Sequence, residues 1–248
     1  MTTAVDKLSN NAAVILKDTT HPGNIGSAAR AMKTCGLQKM ILTSPRTLID
    51  NQSRAMAAGA ADILDGAITR PALADAIFDC TAVFAYTARR RDLSPPQIHS
   101  AKAGELAAGH IRRGEKIALL FGGEQSGLDN DSIRAATYAV EIPTNPHYSS
   151  LNLAMAVQIA VYDLRRALIT SPGFIPAAHE MPTQQELQNL HQHAAEVITM
   201  AKMPRRGKGK LLLTRLSGII NRAAPTASEV RLLRGIFKAT AKKLNAEK

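Results

Sequence analysis

Three clusters of polar residues, each set beside glycine or proline, are where this 248-residue chain could do chemistry. The first is HPGNIGSAARAM, His21 to Met32. Gly23 and Gly26 permit a tight turn, Ala28 and Ala29 let a helix lie close to a sheet, and Asn24 and Arg30 are the polar groups left over. The second is LLFGGEQSGLDND, Leu119 to Asp131, where Gly122 and Gly123 bare backbone N–H and C=O groups, Glu124 adds a carboxylate and Gly127 ends the excursion. The third runs from Ile142 to Leu164. Pro143 and Pro146 stiffen a loop that brings Ser149 and Ser150 to a helix start, where one can cap, and Asn152 follows. An amide, a guanidinium, a carboxylate and hydroxyls suit orienting a polar organic ligand and helping a proton move. They do not suit a metal. The only cysteines, Cys35 and Cys80, have no CxxC or Cys/His spacing, so both are expected to be reduced and buried, and no metal is expected. Taken singly, each cluster also has a plainer reading as a structural turn, a hairpin-type loop or an ordinary helix cap. GNIGSA lacks the GxGxxG spacing of a dinucleotide site.

The elements that must position these clusters follow from the apolar pattern. AAVILK, KMILTS, CTAVFAY, KIALLFGG and YAVEIP are short apolar runs alternating with helical stretches, which predicts an α/β fold with a parallel sheet covered on both faces. A long helix is expected from Leu151, with Arg165 and Arg166 suiting its negative end. Pro172, Gly173, Pro176 and Pro182 break regular structure, so a linker is placed at about 170–183, between a domain at 1–169 and a second at 184–248. The second opens with Thr183 and Glu186 in capping-box spacing, and further helices are expected from Lys210 to Asn221 and from Ser228, a possible cap, to Leu244.

The charge is uneven. From Lys202 to Lys248 there are 13 Lys/Arg against Glu229 and Glu247, while the rest carries 18 of each sign. All of the net +11 therefore sits in the last fifth, which suits a long polyanion, because neutralised phosphates release counterions; a merely solvated basic face is the plainer alternative. Lys202, Arg205, Arg206, Lys208 and Lys210 form its densest stretch. Phe237 is the only aromatic there, so base stacking is not the expected mode. No run is long enough to span a bilayer, and Asp6 interrupts the N-terminus where a signal peptide needs apolar residues, so a cytoplasmic protein is expected.

Asn24 with Arg30, FGGEQSGL, and IPTNPHYSSLNLAMAVQIAVYDL, in that order, resemble the three motifs of the TrmH-like branch of the SPOUT RNA methyltransferases. The YSSLNLAMAVQ wording and the helical extension look like the TrmJ-type tRNA 2′-O-methyltransferases in particular. The resemblance covers 12 to about 168; the tail is matched by position, helicity and charge alone. It implies a trefoil-knotted catalytic domain, which general topology rules disfavour, with S-adenosyl-L-methionine as cofactor. It also implies a homodimer in which Arg30 serves the partner's cofactor. Carried over by motif position, the cofactor is held around Thr87, Ala88 and Arg89, then Gly122, Ile142, Ser149, Ser150 and Leu151. One departure stands out: the family often has Arg where this chain has Gly123 and Gln125, which lowers local positive charge.

The implied reaction is in-line transfer of the sulfonium methyl to a ribose 2′-hydroxyl of tRNA, at the anticodon-loop pyrimidine of position 32. Arg30 is the expected catalytic residue, although a guanidinium is a poor free base. It would bind target phosphate and ribose, orienting the hydroxyl or passing its proton with help from the phosphate, while Asn24, Glu124, Ser150 and Asn152 hold that geometry. Ribosomal RNA as substrate and a non-catalytic RNA-binding module are the alternatives.

Overall fold

A computed structural model of the chain describes residues 10–88, 95–170, 180–201, 203 and 209–246. Its first unit runs β1 (Ala12–Lys17), α1 (Pro22–Thr34), β2 (Lys39–Thr43), α2 (Asn51–Ala57), α3 (Ala61–Asp65), β3 (Ile68–Arg70), α4 (Leu73–Ile77), β4 (Ala82–Tyr86), β5 (Gln97–His99), α5 (Ser100–Arg112), β6 (Ile117–Phe121), α6 (Asn130–Arg134), β7 (Tyr138–Glu141) and α7 (Leu153–Thr170). The strands form one sheet in the order β3-β2-β1-β6-β4-β7-β5, and every pairing is parallel.

Alternation along each strand divides the core. Ala12, Val14 and Leu16 of β1 join the layer that includes Ile25 and Met32 of α1, Ala107 and Ile111 of α5, and Val157 and Leu164 of α7. Ala13 and Ile15 face the other way, toward Ile77 of α4 and Ile133 of α6. A strand buried on both faces must be apolar throughout, and β4 and β6 are fully buried at all five positions. The five central strands are thus the five apolar runs of the sequence. The edge strands β3 and β5 were not legible there: each is three residues long and only partly buried, so no hydrophobic run marks it.

The chain ends in three helices, α8 (Gln184–Met200), α9 (Gly209–Ala223) and α10 (Ala227–Ala246). Thr183 and Glu186 form the expected capping box on α8. At α10 the cap differs from expectation. Thr226, not Ser228, exchanges bonds with Glu229: its N–H donates to the carboxylate at 2.7 Å and its hydroxyl accepts from the Glu229 N–H at 3.3 Å. Leu190, Ile220 and Val230 make a small core, with Phe237 packed against it, so the one aromatic of the basic region is spent on packing.

This helical unit meets the sheet at the amino ends of its strands. The N–H groups of Gln184 and Gln185 donate to the carbonyls of Cys80 (2.8 Å) and Phe78 (3.1 Å), just before β4, and the Asn221 amide donates to the Arg134 carbonyl at 3.1 Å. Cys35 and Cys80 are both buried, and burial pushes the Cys80 thiol up to about 12, which leaves it unreactive. Arg165 does not serve the helix end; α7 continues to Thr170, and the guanidinium donates to the Cys35 carbonyl at 3.1 Å. Among the described residues no helix is long and apolar enough to cross a membrane.

Candidate functional site

The carboxyl ends of β4, β6 and β7 surround a cleft of about 380 Å³, where open parallel sheets bind ligands. Its floor is the Tyr86 ring stacked on Phe121, with centroids 4.7 Å apart. Its walls come from the loop after β6, residues 122–128, and from 149–151 before α7. The wall loop is held by close backbone approach. A Cβ on Gly122 would lie 2.2 Å from the Gly127 carbonyl carbon, and one on Gly123 would lie 2.3 Å from the Asp18 carbonyl oxygen. A side chain at Gly123 would collide with the backbone at Asp18, just after β1, so the loop as folded here has no room for an arginine at that position. Below the loop, Lys17 bridges Asp18 and Asp129, the latter at 2.9 Å. Burial pushes the Asp129 carboxyl up, but bonds from the Ser132 backbone N–H and from Lys17 outweigh it and hold the group at about 2.

Across the mouth runs a chain of hydrogen bonds that joins the three motifs. Glu124 Oε2 accepts from the Thr20 N–H at 2.9 Å and the Thr20 hydroxyl at 2.8 Å, and Oε1 accepts from Asn24 Nδ2 at 2.7 Å. The other end of the Asn24 amide, Oδ1, accepts from Asn152 Nδ2 at 2.9 Å. Asn152 Oδ1 in turn accepts the Ala154 N–H at 2.9 Å and so caps α7. Neither Ser149 nor Ser150, where the sequence placed a possible cap, serves there, because the helix begins only at Leu153. Partial burial pushes the Glu124 carboxyl upward, yet the bonds from Asn24 and Thr20 win and keep it below the usual range.

Of the residues expected around a cofactor, Thr87, Ala88, Gly122, Ile142, Ser149, Ser150 and Leu151 line this cleft. Arg89 lies outside the described residues, as do Lys202, Arg205, Arg206 and Lys208, while Lys210 stands in the first turn of α9. Arg30 is not among the cleft residues. It is exposed on α1, between Asn24, which meets Asn152, and Thr34, whose hydroxyl donates to Gln158 of α7 at 3.4 Å. Sequence reasoning missed Thr20, which supplies two of the donors to Glu124; its only signal is a pair of hydroxyl residues, Thr19 and Thr20, in the short turn between a buried strand and His21-Pro22. Among the described residues no group of His, Cys, Asp or Glu could hold a metal ion.

The cleft fits a sulfonium nucleoside in kind: a glycine-walled backbone cradle, an aromatic floor and hydroxyls at its rim. Fold and site together define an α/β protein with a ligand-sized cleft at the carboxyl edge of a parallel sheet. Residues 11–162 match the SpoU rRNA Methylase family, and residues 185–248 match the tRNA methyltransferase TrmJ C-terminal domain. The chain belongs to the SpoU methylase family, in its TrmJ group, as the three motifs implied. It is 37% identical over 231 residues to the tRNA (cytidine/uridine-2′-O-)-methyltransferase TrmJ of Sodalis glossinidius, covering 92% of this chain and 90% of that one. Among solved structures it is similar to TrmJ from Z. mobilis ZM4, with 28% identity, TM-score 0.78, and 92% and 98% of the two chains covered. A probable methylase family protein from Haemophilus influenzae Rd KW20 is 33% identical, with TM-score 0.62 and 97% and 100% covered.

Proposed function

We propose that this chain methylates the ribose 2′-oxygen of a tRNA pyrimidine, at position 32 of the anticodon loop, using S-adenosyl-L-methionine in the cleft at the ends of β4, β6 and β7. The observation that carries this reading is the Thr20–Glu124–Asn24–Asn152 chain, which ties all three motifs to the mouth of that cleft. Bound there, the cofactor supplies an electrophilic methyl group on a sulfonium. The backbone of 122–128 and 149–151 holds it, and Glu124, with its oxygens already occupied by Thr20 and Asn24, positions the loop and does not serve as a base. A guanidinium stays charged at any working pH. The role assigned to Arg30 is therefore to clamp the target phosphate and ribose, orienting the hydroxyl or passing its proton with the phosphate's help.

The division into a catalytic domain at 1–169, a linker at 170–183 and a basic RNA-binding domain at 184–248 belongs to the same reading, as do the trefoil threading, a cytoplasmic setting and a homodimer in which Arg30 reaches the partner's cofactor. Two features support the dimer. Met155, Tyr162 and Ile169 form an exposed apolar stripe at seven-residue spacing along α7, and Arg30 is exposed on the neighbouring α1.

Transfer of tritiated methyl to tRNA and ribosomal RNA from a methylation-deficient host, followed by nucleoside analysis, tests the proposal. A 2′-O-methylpyrimidine in tRNA is expected. The match to a family described by ribosomal RNA favours a second reading, and label confined to ribosomal RNA would replace the first by it.

A further inference from the structure

A second cleft, of about 330 Å³, lies where the tail meets the catalytic unit, at the opposite end of the strands from the cofactor cleft. Its volume is at the small end of the range for ligand sites, with room for one nucleoside and not for a stack. Leu187 of α8 and Leu213 of α9 offer apolar surface for a flat ring, and Gln188, His191, Ser217 and Asn221 offer groups for its edge. His191 lines the cleft with its ring, and its Nε2 is turned inward, buried with no hydrogen-bond partner among the described residues, so a small turn of the ring toward the cleft would give that nitrogen a partner. Burial holds the His191 imidazole below its ordinary value, so at neutral pH the ring is neutral and offers one nitrogen, not a charge, to a base edge. Asn221 Nδ2 is fixed on the Arg134 carbonyl, which leaves its Oδ1 as an acceptor. The one carboxylate at the rim, Asp131, is paired with Arg134 and does not repel a phosphate chain as a free acid would.

We infer that this seam receives one unstacked nucleobase of the RNA substrate, recognised on its edge by Gln188, His191 and Asn221. The source of that base is an RNA strand, because α9, which lines the cleft, carries Lys210 in its first turn and follows directly on the stretch bearing Lys202, Arg205, Arg206 and Lys208. The inference rests on the tRNA reading above.

Chemical probing of Watson–Crick edges on a full-length tRNA transcript, bound to the wild-type chain, Gln188→Ala and His191→Phe, tests it. His191→Phe keeps the bulk of a ring and removes both nitrogens; should it fail to fold, Gln188→Ala, at a partly exposed position, decides alone. One unpaired base, distinct from the methylated one, should be protected by the wild-type chain and reactive with the variants. Their Kd for tRNA should rise about tenfold, with cofactor affinity unchanged. Identical protection by all three proteins overturns the inference. Wild-type protein that methylates tRNA without any such footprint overturns the seam alone, whereas wild-type protein that transfers no methyl to tRNA overturns the reading beneath it.

Discussion

Replacing Asn24 by Asp changes one nitrogen to oxygen without altering volume, and it inverts the centre of the hydrogen-bonded chain. In the native site Asn24 Nδ2 donates to Glu124 Oε1 at 2.7 Å. The variant sets two carboxylates against each other there, and at a charge separation of about 4 Å with an effective dielectric constant near 20 the repulsion is about 4 kcal/mol. At roughly 2–4 °C per kcal/mol for a chain of this size, Tm at pH 8 should fall by about 8–16 °C. The repulsion ends when the pair shares a proton, so its folded pKa is raised. A group with a raised folded pKa contributes stability that is present below the unfolded value and lost as pH rises through the folded one. The variant should therefore recover part of its Tm between pH 8 and about pH 5. Wild type runs the other way: Glu124 has a depressed folded pKa, so its contribution is present above about pH 4 and lost as pH falls further. Thermal scans of both proteins across this range, with methyl transfer measured alongside, make the test; transfer by the variant should fall about a hundredfold at pH 8 as the α7 start shifts. A Tm penalty that is absent, or equal at pH 8 and pH 5, would refute the electrostatic account.

Gly122→Ala places a methyl 2.2 Å from the Gly127 backbone, so the wall loop must move at a cost of about 1–3 kcal/mol; calorimetric binding of S-adenosyl-L-methionine should be lost while the circular dichroism of the helices persists. Arg30→Ala removes an exposed side chain, so Tm should change by less than about 0.5 kcal/mol equivalent and cofactor binding should hold, while methyl transfer falls about a hundredfold; a wild-type rate would sink the assignment. Glu115 is pushed up by burial, but its bonds to His110 and Arg113 hold it at about 2, so it contributes about 3 kcal/mol at neutral pH that is lost as pH falls from about 5 to 2. Glu115→Gln should be less stable at pH 7 and should show a shallower acid transition in denaturant titrations.

Much of this was legible in the residues. The strands β1, β2, β4, β6 and β7 announce themselves because each buries residues on both faces and so carries a run of adjacent apolar residues at its centre. Gly122, Asn24 and Asn152 were legible because close backbone approach and short polar side chains at turns leave a compositional mark. What was not legible depends on position in space. Thr20 stands outside the glycine and proline clusters, and nothing local says that its hydroxyl meets a carboxylate 104 residues away. Asn152 takes the cap from two nearby serines because the loop with its Asn145–Tyr148 turn remains irregular as far as 152. The seam between tail and sheet leaves no trace in composition, since its bonds run largely to main-chain carbonyls.

That last feature bears on how such a protein could change over time. At Phe78, Cys80 and Arg134 the tail grips an atom every amino acid possesses, so substitutions on the sheet side scarcely register at the joint. A new tail that placed two N–H groups and an amide in the same positions would reproduce the main-chain part of this joint. Under the proposed function, the choice of RNA would then drift under selection at one end of the strands while the methyl-transfer site at the other end stayed as it was.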